Sequence, residues 1–82
     1  MPVPQNLRVQ LQKLDQQIVD LLGERVNLCQ KAIEEDENVF DESAQAEIVA
    51  DWEGAADEHG MHVGTVSAIA RLVLKLCKVS AE

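Results

Sequence analysis

From Leu7 onward the apolar residues fall at Leu7, Leu11, Leu14, Ile18 and Leu21, then at Leu28 and Ala32. Steps of four and three put these side chains on one helical stripe, because 3.6 residues complete a turn. Leu22 and Cys29 widen the stripe on one side. The pattern predicts a helix from about Gln5 to about Glu35, roughly 30 residues and about 45 Å long at 1.5 Å rise per residue. Glu34, Glu35, Asp36 and Glu37 then crowd negative charge where the helix dipole is already negative, so the helix ends in a loop. Asp41 or Ser43 is placed to cap a second helix, whose apolar residues are Ala44, Ile48, Val49, Trp52, Ala55 and Ala56. Gly54 weakens that helix by up to about 1 kcal/mol relative to alanine. Glu58-His59-Gly60 has the form of its C-terminal cap, with Gly60 free to take a positive φ. A third helix follows from about Val63 or Thr65, with Val66, Ile69, Ala70, Val73, Leu74 and Cys77 on its buried face. Prolines occur only at positions 2 and 4. The expectation is one all-α domain over residues 1–82, three helices joined by short loops.

Length turns this pattern into a packing problem. A chain of 82 residues makes one small domain. Folded compactly, it has a radius of gyration of roughly 12 Å and a diameter of about 30 Å. The first helix is longer than that globule, and two short helices cannot cover its stripe. A homodimer in which the long helices of two protomers pack together is the simplest remedy.

Charge narrows the class of partner. Seven Lys+Arg stand against fifteen Asp+Glu, a formal net charge of −8. Such a surface repels nucleic acid, and Phe40 and Trp52 are the only aromatics that could stack on bases. No run of about 18 apolar residues is present to span a membrane. Met1-Pro2-Val3-Pro4-Gln5 lacks the basic-then-apolar layout of a signal peptide. Two cysteines, Cys29 and Cys77, do not make a secreted disulfide framework. They are expected to be reduced thiols acting as small core residues in a cytoplasmic protein.

The cations are therefore the informative residues. Arg25 interrupts the apolar stripe between Leu21 and Leu28, where an unpaired charge is costly. Two readings stand: a structural ion pair with Glu47 or Asp51, or a cation that binds an anion inside the bundle. Arg8 lies 17 residues upstream, about 25 Å along the same helix. One chain cannot bring the two arginines into one site, whereas an antiparallel dimer can. Arg71, Lys75 and Lys78 form a basic face on the third helix, either solvated or a docking surface. His59 and His62 straddle a turn without the further ligands that a metal site requires, so no metal and no cofactor is expected. Neither a nucleophile–base triad pattern nor a glycine-rich phosphate loop is evident.

The string Leu7-Arg8, Leu14-Asp15-Gln16-Gln17-Ile18, Leu21-Leu22-Gly23-Glu24-Arg25 and Leu28 resembles the opening of the all-helical chorismate mutases. Ala46-Glu47-Ile48 and Glu58-His59-Gly60-Met61 continue the resemblance in register. It implies an intertwined dimer and an isomerase that rearranges chorismate to prephenate in aromatic amino acid biosynthesis. That reaction needs no proton transfer and no covalent intermediate. It requires a folded dicarboxylate and hydrogen-bond donors at the breaking ether oxygen. By register Arg25 is the in-chain carboxylate-binding arginine, and Arg8 the arginine supplied by the other protomer. Gln45 falls where a glutamate holds the substrate hydroxyl, and Cys77 where a small hydroxyl residue stands. Asp36, Ala44 and Ala81 fall at positions of a lysine, an arginine and a glutamine; the nearest lysine, Lys31, is five residues back and turned away, and Glu82 is one position off Ala81. Lys78 aligns with a site-lining position and is the candidate replacement for the missing lysine. Three readings follow: a chorismate mutase, a non-catalytic or regulatory dimer that binds a protein partner, and a relative acting on another small anion such as isochorismate.

Overall fold

α1 spans Val3–Glu35, 33 residues of unbroken helix. The computed structural model describes residues 3–81 and the side chains of residues 6–80. Met1, Pro2 and Glu82 lie outside the described residues, as do the side chains of Val3, Pro4, Gln5 and Ala81. α2 spans Glu42–Glu58 and α3 spans Val63–Ala81. These are the three helices that the periodicity predicts, with α1 beginning two residues earlier than expected.

Local chemistry sets the helix ends. Asp41 is the N-cap of α2, and its carboxylate accepts from the Ala44 N–H at 2.9 Å. At the other end His59 is the C-cap and Gly60 takes φ 69°. The Met61 N–H then donates to Ala56 O at 2.8 Å and the Gly60 N–H to Asp57 O at 3.2 Å. This paired closure satisfies the last carbonyls and reverses the chain. His62 opens α3, its Nδ1 accepting from the Thr65 N–H at 3.1 Å. The histidine pair thus sits at the α2–α3 corner, with His62 in a capping role.

α2 and α3 form a hairpin around a small core of Val49, Ala70 and Leu74, with Ile48 and Trp52 packed against it. Ala70 is 0% exposed, so the helices approach closely there. Val66, Val73 and Cys77 complete the buried face of α3, while Ile69 remains exposed. Among the described residues α1 packs against α3 and not against α2. Leu7, Leu11, Leu14, Ile18, Leu21 and Leu28, the predicted stripe, are 51–66% exposed. The molecule measures 54 × 25 × 15 Å with a radius of gyration of 15.5 Å. That is well above the roughly 12 Å of a compact chain of this length. No helix described is long and apolar enough to cross a membrane.

The expectation of two reduced thiols is overturned. Cys29 of α1 and Cys77 of α3 form a disulfide, with their Cα atoms 6.3 Å apart. Counting cysteines does not reveal a single long-range bridge; it forms because both apolar faces meet at a spacing that a disulfide spans. The bond closes a 48-residue separation. Bridges of that reach stabilise small domains by about 2–4 kcal/mol.

The two helix-hairpin glycines separate two effects. A Cβ at Gly54 meets nothing within 4 Å, so Gly54→Ala should raise stability by about 0.5–1 kcal/mol. Gly60→Ala should lower it by about 1–2 kcal/mol, because its left-handed backbone strains any L side chain. Urea denaturation of both variants measures the opposite signs.

Candidate anion-binding site

The loop after α1 shapes the site. The Asp36 N–H donates to Ala32 O at 3.0 Å, adding a last helical turn. Asp36 Oδ1 then accepts from the Asn38 N–H, and Asp36 O from the Val39 N–H, each at 3.0 Å. This tight turn carries Phe40 back onto α1 beside Cys29, and Asp41 immediately starts α2. Gln45, on the first turn of α2, donates from Nε2 to Phe40 O at 2.7 Å. The loop is therefore held from both sides.

Two adjoining cavities result. The first, about 160 Å³, is lined by Cys29, Glu37, Phe40, Gln45, Cys77 and Lys78, with Ile33 and Leu74 as its apolar remainder. The second, about 290 Å³, is lined by Arg25, Leu28, Cys29, Ala32 and Phe40. Cys29 and Phe40 belong to both and form the partition. A groove of about 350 Å³ on the outer face of the hairpin shares Gln45 and Lys78 and adds Arg71 and Lys75. There Arg71 Nη1 donates to the Ser67 hydroxyl at 2.6 Å.

Of the residues singled out in the sequence, Gln45, Cys77 and Lys78 come together in the first cavity. Arg25 is half-buried and faces the second. No carboxylate lines the Arg25 cavity; Glu47 is exposed, and Asp51 lines a different cleft with Ile18 and Trp52. The ion pair considered for Arg25 is therefore not formed with either residue. Arg8 is exposed and lines none of these cavities, as its separation from Arg25 along a straight helix requires. Asp36 points its carboxylate into the loop turn, and Glu37, missed in the sequence, is the acidic residue in the cavity wall. Phe40 and Cys29 were also missed as site residues. Cys29 stands one helical turn after Arg25, which is the signal that could have found it.

Chemically, the cavities offer two cations on either side of a small partition. Arg25 presents a planar donor fork suited to a carboxylate, and Lys78 a mobile point charge. Gln45 spends its amide N–H on Phe40 O, so its Oε1 is the atom left to accept from a hydroxyl. Such groups bind and orient an oxygen-rich anion.

A helical hairpin with a long, half-uncovered first helix, and a cation-lined cavity where that helix meets the third, defines an all-α protein whose pocket lies within a helical bundle. The chain matches the family model for chorismate mutase type II over residues 7–81, and it belongs to that family. No curated protein and no solved structure gives a match.

Glu37 opposes any anion entering the first cavity. Removing one unit charge near a dianion in a partly solvated site is worth on the order of 1 kcal/mol. Glu37→Gln should therefore tighten dicarboxylate binding about fivefold, measured by calorimetric titration.

Proposed function

We propose that the chain is a chorismate mutase that acts as an intertwined homodimer in the cytoplasmic synthesis of aromatic amino acids. The observation that carries this reading is the convergence of Lys78, Gln45 and Cys77 on one cavity that shares a wall with Arg25. Family membership supplies the reaction class. Arg25 holds one substrate carboxylate, and Arg8 of a second protomer reaches the other. Gln45 Oε1 accepts from the substrate hydroxyl. Lys78 is the cation that faces the ether oxygen as negative charge develops on it. The remaining rate comes from holding the substrate in its folded conformer, where the bond-forming carbons are already close.

The dimer reading is supported by the exposed stripe of α1 and by the apolar cleft of about 520 Å³ between Ile18, Trp52, Met61 and Ile69. A second copy of α1 would cover both.

A second reading is favoured by one specific feature. Asp36 and Ala44 supply no donor, and Glu37 adds a negative charge to the cavity wall. In this reading the dimer binds a carboxylate ligand without turnover and regulates a protein partner. Loss of chorismate followed by absorbance separates the two, and product analysis of the same reaction with isochorismate detects pyruvate elimination. A melting shift with chorismate but no turnover establishes the binder; neither shift nor turnover removes both readings.

For the mutase, Lys78→Ala should lower kcat about 10²-fold, the usual loss for one preorganised donor. Unchanged kcat removes Lys78 from the mechanism. Leu14→Glu with Leu21→Glu places charge on exposed α1 positions that the single chain leaves uncovered. It should convert the dimer to a monomer in sedimentation velocity and abolish turnover together.

A further inference from the structure

The Cys29–Cys77 bond does more than tie α1 to α3. It stands in the wall of the first cavity, and Cys29 also borders the cavity of Arg25. With the bond closed, the first cavity holds about 160 Å³. Pockets that enclose small organic ligands usually run from about 300 Å³ upward. Cys29 and Phe40 border both cavities, so the bridged pair and the Phe40 ring stand between Lys78 and Arg25. We propose that the Cys29–Cys77 pair is a redox gate: the disulfide keeps the two cavities apart, and a dithiol reductant opens them into one dicarboxylate site. This rests on the dicarboxylate reading of the pocket given above.

The chemistry of opening is set by the neighbours. The chain has no other cysteine, so exchange requires an external dithiol. One thiolate of the reductant attacks Cys77 Sγ from the first cavity, where the Lys78 cation attracts it. The S–S bond breaks, and Cys29 leaves as a thiolate beside the cavity it shares with Arg25, whose positive charge favours that leaving group. The second thiol of the reductant attacks the mixed disulfide, releasing Cys77 and closing the reductant's own disulfide. Two electrons pass to the protein, and the two thiolates take protons from water. Each thiol then turns independently about χ1, which the bond forbids. Disulfides in reducing compartments are usually of this exchangeable kind, so the bond and a cytoplasmic location are compatible.

The test compares full-length protein held oxidised with the same protein in excess dithiothreitol, and with the double variant Cys29→Ala/Cys77→Ala. Native alkylation followed by mass measurement counts free thiols, circular dichroism follows the helices, and calorimetry measures chorismate binding. The expected result is two alkylated thiols with unchanged helix content, chorismate binding about tenfold tighter after reduction, and redox-independent binding by the variant. Equal binding in both states overturns the gate and leaves the site reading standing. Resistance of the folded protein to reduction, or loss of helix content on reduction, also overturns it, because the bond is then a structural staple. Absence of binding in either state removes the dicarboxylate site itself, and the gate with it.

Discussion

The length of α1 relative to everything it could pack against governs this molecule. Thirty-three helical residues extend well past the two shorter helices. Six aliphatic side chains on its stripe stay more than half exposed in the single chain, and full burial of each contributes about 1.5–3 kcal/mol. The hairpin core cannot compensate, since its buried members are mostly alanine, valine and cysteine. The folding free energy of such a chain is inseparable from whatever covers α1, and a second α1 has the matching length and periodicity. The same constraint keeps Arg8, exposed and outside every cavity, away from Arg25 within one chain.

The second organising feature is where charge is allowed to gather. The surface is strongly acidic, with a formal net charge of −8. Against that background Arg25 and Lys78 flank one partition, and Arg71, Lys75 and Lys78 line one groove. Four of the seven cations line cavities or the groove on an otherwise acidic exterior, an arrangement that steers anions toward them. Glu37 works against this arrangement at the rim of the first cavity. Asp36 spends its carboxylate on turning the loop, so neither acidic residue of this segment supplies a cation-like donor to the cavity. A shared fold does not by itself carry an activity; the groups that line the cavity decide what it can bind.

The disulfide connects these two themes. It is the covalent tie between α1 and the hairpin, at the end of α1 where the site is built. A bond that fixes helix spacing beside a cavity ties the packing of α1 to the shape of that cavity.

Much of this was legible in the residues alone. The 4-3 spacing from Leu7 placed α1; Asp41 and Gly60 marked the ends of α2 because capping depends on a side chain or a backbone angle that neighbours do not alter. The break in the stripe at Arg25 marked a residue that the fold places on a cavity wall, and the long stripe an apolar face that the single chain leaves exposed. The tertiary structure alone decided which of these residues share a cavity. Glu37 rather than Asp36 faces the pocket because the loop turn consumes Asp36. Phe40 and Cys29 become a partition because that turn folds back onto α1. Cys29 and Cys77, 48 positions apart, become one group through helix packing. Periodicity reports which face of a helix is apolar, a local property. Which two faces meet, and at what distance, depends on every contact in the fold.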